Sequence, residues 1–144
     1  DCADEVIAVA MRLGGALGTD LALLYVVDAP AGSPGLIRAA LHQDAREHLD
    51  PLVSRLSAAG ITSHTHVIAG APAAAILSVA ERENVDMIVM GTHGRRGLRR
   101  LWAGSVAEEV LRKSPCPVTI VRTTDPGDTG PTEAQLAAEA ETSG

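Results

Sequence analysis

The chain has 144 residues, 46% hydrophobic and 21% charged, which fits one soluble globular domain with a real core. No apolar run approaches the roughly 20 residues that span a bilayer, and Asp1, Asp4 and Glu5 stand where a signal peptide would be basic. Net charge is −6, but residues 123–144 hold five acidic residues and no Lys or Arg, which leaves 12 basic against 13 acidic residues in 1–122, a near-neutral body unsuited to general polyanion binding.

Residues 4–17 read as a helix, with Asp4 and Glu5 at its positive dipole end and Gly18 at its stop. Gly14-Gly15 weakens that helix unless close packing needs it. The unbroken apolar run 21–27 (LALLYVV) reads as a buried strand of a sheet covered on both faces. Pro34 stands near the start of the next helix, which runs to about Ala59 and stops at Gly60. Asp50-Pro51 predicts a kink or break within it. Residues 62–69 form a more polar strand nearer an edge. Pro72 opens a helix to about Glu83, residues 85–90 form the next strand, and a loop covers 91–103. A helix covers about 104–113, and Pro117–Arg122 is the last strand. Residues 123–144 read as an acidic, alanine-rich tail, expected to be disordered with transient helix from Glu133. Strands that alternate with helices need crossover connections, so the sheet should be parallel and doubly wound. Such a unit ordinarily has a strand ahead of its first helix, and here the helix comes first.

The chemistry is concentrated in the segment from Met90 to Val106 (MGTHGRRGLRRLWAGSV). Ligands of open α/β sheets bind beyond the C-terminal ends of strands, where Gly91 and Gly94 are expected. A residue without a Cβ lets the backbone approach a ribose or phosphate. Gly104-Ser105 falls where a helix begins, and free N–H groups there attract anions. The Ser105 hydroxyl adds a donor, and Arg95, Arg96, Arg99 and Arg100 raise the local positive potential. Glycines of a strand-to-helix loop can equally serve only the turn, and the residues alone leave both readings open. The segment is not a Walker loop, since no Gly-Lys-Ser/Thr is present.

The spacing Gly91, two residues, Gly94, nine residues, Gly104-Ser105 resembles the ATP-binding signature of the universal stress protein family. The resemblance covers nearly all of 1–122 and includes the LLYVVD strand, Gly70-Ala71-Pro72, the stretch from Val85 to Gly91, and the SPCPV stretch at the last strand. It implies a Rossmann-like sheet of order 3-2-1-4-5 in which strand 1, with an Asp that helps hold the nucleotide, lies upstream of Asp1 and is absent from this chain. Strands 21–27 and 85–90 would then flank that strand, and a direct ladder between them would contradict the arrangement. It also implies ATP, alone or with Mg, as the ligand. Val26 would contact adenine, Met90 and Gly91 would border the ribose and phosphates, and Gly94, Gly104, Ser105 and Val106 would wrap the phosphate chain. A cytoplasmic, ATP-responsive stress sensor that forms a homodimer through strand 117–122 is the function implied. The alternatives are a slow ATP-hydrolysing enzyme and an interaction module with a vestigial pocket.

No nucleophile–base pair, carboxylate pair or lysine accompanies the glycines, so no strong catalyst is expected, and no catalytic or metal-binding residue is assigned. His64 and His66 share a strand face, which fits an exposed polar face better than a metal lacking a third ligand. His93 could touch phosphate or face solvent. The arginines suit phosphate or plain solvation better than nucleic acid, since an aromatic content of 1% offers no stacking platform. Trp102 reads as a packing anchor for the loop, and Cys116, between two prolines and far from Cys2, as packing rather than nucleophile or disulfide.

Overall fold

The computed structural model describes residues 2–27, 32–93 and 104–123. The elements run α1 (Cys2–Leu17), β1 (Leu21–Val27), α2 (Gly35–Ala58), β2 (Ser63–Ala69), α3 (Pro72–Arg82), β3 (Ile88–His93), α4 (Ser105–Lys113) and β4 (Val118–Thr123). The expected tail lies, apart from Thr123, outside the described residues, as does most of the expected loop.

Three helices end in the same way, in a left-handed residue that turns the chain toward the next strand. After α1, Gly18 takes φ +62° and the Thr19 N–H returns to the Gly14 carbonyl at 3.2 Å. After α2, Gly60 takes φ +75°, its N–H donates to the Ser57 carbonyl, and the Ile61 N–H donates to the Leu56 carbonyl at 2.9 Å. After α3, Asn84 takes φ +48°, and the Val85 N–H donates to the Ala80 carbonyl at 3.1 Å. Each cap satisfies carbonyls the helix would leave unpaired. After α2 and α3 the apolar residue just past the cap drops back on the core: Ile61 packs on the cluster that holds fully buried Leu56, and Val85 packs on the cluster that holds Ala80.

All ladders are parallel. β1 pairs with β2 from Leu21↔Ser63 to Val27↔Ala69, and β3 pairs with β4 from Ile88↔Val118 to His93↔Thr123. These are the neighbours that the order 3-2-1-4-5 places on its two sides. Among the described residues no ladder joins β1 to β3. Two apolar clusters accompany the two pairs. Ile7, Leu23, Leu49 and Leu56 knit α1, β1 and α2 together, and Ala73, Ala80, Ile88 and Val110 knit α3, β3 and α4. α1 also lies against β3 and β4, so one helix spans both strand pairs. An exposed ion pair, Arg55 with Asp4, ties α2 to α1.

Of the kink or break expected at Asp50-Pro51 the break is absent, and one expected strand boundary moves. α2 is continuous through Pro51, with no break at Asp50-Pro51. Pro51 is exposed, so the Glu47 carbonyl that loses its N–H partner lies on the water side of the helix. The third strand begins at Ile88, not at Val85. Val85 is held by the α3 cap, and the ladder opens where the Ile88 N–H meets the Pro117 carbonyl at 2.9 Å. Gly91 is therefore inside the strand, opposite Val121, and not just beyond its end.

Candidate functional site

A parallel pair joined by a helix fixes where that helix starts. α4 leaves the C-terminal end of β3 and must return the chain to the start of β4, so its N-terminus belongs to the C-terminal end of the β3–β4 ladder. Gly104 is the N-cap, with φ −60° and ψ 166°, and supplies no side-chain cap of its own. Its carbonyl accepts the Glu108 N–H at 3.0 Å, while Gly104 and Ser105 are both exposed. A Cβ at Gly104 would meet nothing within 4 Å among the described residues. The start of α4 thus presents the N–H groups and positive dipole end that suit an anion.

Five of the seven expected residues lie on β3 and at the start of α4. Met90 on β3 and Val106 on α4 pack on one apolar cluster. Gly91 comes directly after Met90, and Gly104-Ser105 precedes Val106. The two-residue period of the strand turns Met90 toward this cluster, and Gly91 toward the opposite face. Val26 is half-buried near the end of β1, opposite Ile68, and belongs to the other strand pair. Gly94 lies outside the described residues, as do Arg95, Arg96, Arg99, Arg100 and Trp102.

Two charged residues at this end escaped the reading from sequence. Arg122, exposed on β4, stands opposite Thr92 and adds positive charge at the mouth of the ladder. Its place near the end of the last strand was the available signal. Glu108 sits in the first turn of α4 and opposes an anion there. Lys113 meets Glu109 at 3.0 Å near the far end of the helix.

The remaining candidates serve packing or surface contacts. His66 Nε2 lies 3.6 Å from Glu83, and His64 Nε2 lies 3.9 Å from Asp20, so each faces a carboxylate of a different segment. Among the described residues no three His, Cys, Asp or Glu side chains gather where an ion could be held. Cys116 packs on the second cluster, its N–H donating to Ser114 Oγ at 3.2 Å. No helix among the described residues is long and apolar enough to cross a membrane.

Comparison with known proteins agrees with this architecture. Residues 1–122 match the model of the Universal stress protein family. A universal stress protein of Methanocaldococcus jannaschii is 40% identical over 106 residues, which cover 69% of this chain and 62% of that protein. A second from the same organism is 34% identical over 82 residues, so the chain spans about half to three fifths of these two relatives' lengths. The solved structure of that second protein superposes with a TM-score of 0.70 at 28% identity, covering 84% of this chain and 90% of the other. A universal stress protein solved in complex with cAMP superposes with a TM-score of 0.60 at 25% identity, covering 84% and 86% of the two chains. The chain belongs to the universal stress protein family.

Proposed function

We propose that this chain binds ATP at the end of the β3–β4 ladder and acts as a nucleotide-responsive sensor or regulator in a stress response. The observation that carries the reading is the packing of Met90, next to Gly91, and of Val106, next to the exposed Gly104-Ser105, against one apolar cluster. The donor set fits a phosphate chain: backbone N–H groups at Gly104, Ser105 and Val106, a hydroxyl at Ser105, and Arg122 at the ladder's mouth. Val26 would take the adenine, Met90 and Gly91 the ribose side, and Gly94 would close on the phosphates, with Mg as their counter-ion. A relative's complex with cAMP supports an adenine nucleotide as the ligand class.

The reading makes the chain a binding protein rather than a strong catalyst, and has it pair with a second copy through the β4 edge. Mass spectrometry of the nucleotide that copurifies with the protein tests the ligand. ATP or ADP at near one per chain is expected, and protein that stays empty and gains no heat stability from added ATP would overturn the reading. Phosphate release measured beside binding separates a sensor from a slow hydrolase.

A further inference from the structure

Among the described residues, His66 Nε2 is a buried side-chain polar atom with no hydrogen-bond partner. Native proteins leave few such atoms unpaired. A carboxylate stands in front of it: Glu83 Oε1 is 3.6 Å away, too far for a hydrogen bond. The two residues serve different strand pairs. His66 lies on β2, opposite Leu24 of β1. Glu83 is the C-cap of α3, whose Ala73 and Ala80 belong to the cluster that holds Ile88 of β3 and Val110 of α4. The contact therefore joins the first strand pair to the helix that packs on the second.

The two-residue period turns His64, His66 and Ile68 to one face of β2, and Val67 to the other, where it packs on the cluster of α1 and α2. On the His66 face β1 offers Ala22, Leu24 and Val26, none of them charged. His64 lies 3.9 Å from Asp20. On α3, Glu81 and Arg82 are exposed, and Glu83 is the charged group that faces the ring. A neutral imidazole carries one N–H, so the buried Nε2 either turns a lone pair to a carboxylate or holds a proton out of its reach. An imidazolium has a donor on both nitrogens and a charge that draws the carboxylate in, to the roughly 2.7–2.9 Å of charge-assisted bonds. We propose that His66 is a proton-operated tie: the imidazolium closes on Glu83 and binds the strand β2 to the end of α3, and the neutral ring leaves the tie open.

An imidazole ordinarily takes up its proton between about pH 5 and about pH 8. The tie exists only in the folded chain, so its contribution is present while the ring is protonated and is lost as pH rises. The Glu83 side chain is 40% exposed, so water screens the pair. A contact of this kind shifts an unfolding equilibrium by about 2- to 5-fold. The proposal concerns the frame and stands apart from the nucleotide reading.

The test compares four full-length chains: natural, Glu83→Gln, His66→Gln, and the two changes together. Unfolding in urea is measured at about pH 5.5 and about pH 8, toward either end of the imidazole range. Glu83→Gln keeps the shape of an exposed cap residue, and glutamine at 66 keeps a polar group that does not titrate, so both variants should fold. In the natural background Glu83→Gln should raise the unfolding constant by about 2- to 5-fold at the lower pH and leave it unchanged at the higher. In the His66→Gln background the effect of Glu83→Gln should be the same at both values. An effect of Glu83→Gln that is equal at the two pH values in the natural background would overturn the proposal. So would a pH-dependent effect that survives His66→Gln, since another group would then be the one that answers the proton.

Discussion

Gly14, buried in α1, faces Leu21 at the start of β1 so closely that a Cβ at position 14 would stand 3.3 Å from Leu21 Cδ2. Its neighbour Gly15 is exposed, and a Cβ there would meet nothing within 4 Å. The two glycines therefore do different things in the same helix. Gly15→Ala should stabilise the protein by about 0.5–1 kcal/mol, the usual gain for alanine over glycine in a helix interior. Gly14→Ala should lose most of that gain to the contact with Leu21. Thermal melts of the two single variants check this; an equal rise in Tm for both would show that Leu21 yields freely.

Asn84 is the only non-glycine at positive φ among the described residues. It ends α3 and aims Val85 at the second cluster. Asn84→Val should destabilise by about 1–2 kcal/mol, since a branched side chain clashes in the left-handed region. Asn84→Gly should be neutral or slightly stabilising. Urea unfolding of the pair tests the cap; equal midpoints would mean the backbone at 84 is not held in that region.

Much of the fold was legible because apolar runs and glycine stops are local signals. The run 21–27 needs no context to read as a buried strand, and Gly18 and Gly60 mark helix ends by conformation alone. The errors came where two local signals conflict. Val85 is apolar and β-branched, yet it completes a helix cap, and only the hydrogen bond to Ala80 shows that. Pro51 reads as a breaker, yet its missing donor costs little on the water side of α2. At the site, the glycine spacing and the helix start were visible in sequence. The packing of Met90 and Val106 on one cluster was not, because it joins a strand and a helix that only the fold brings together.

Through the β4 edge the protein should form a homodimer. β4 pairs only with β3 among the described residues, and Val118, Ile120 and Val121 make it apolar. An apolar edge with unpaired backbone groups is a template for association. Light scattering should give about twice the chain mass of 14.8 kDa at micromolar concentration. A mass equal to one chain at every concentration would remove β4 as an interface.

The central claim is that the start of α4 holds the phosphates, and an ATP titration of the double variant Gly104→Val, Ser105→Ala tests it most directly. Gly104 has an ordinary φ, and a Cβ there would meet nothing within 4 Å among the described residues, so circular dichroism and Tm should stay near those of the natural chain. The valine side chain would fill the space in front of the helix, and the hydroxyl donor would be gone. A charge-assisted hydrogen bond contributes about 1.5–3 kcal/mol, so calorimetry should show ATP affinity lowered by at least about tenfold. Unchanged affinity in a folded double variant would contradict the account and take the start of α4 out of the binding site.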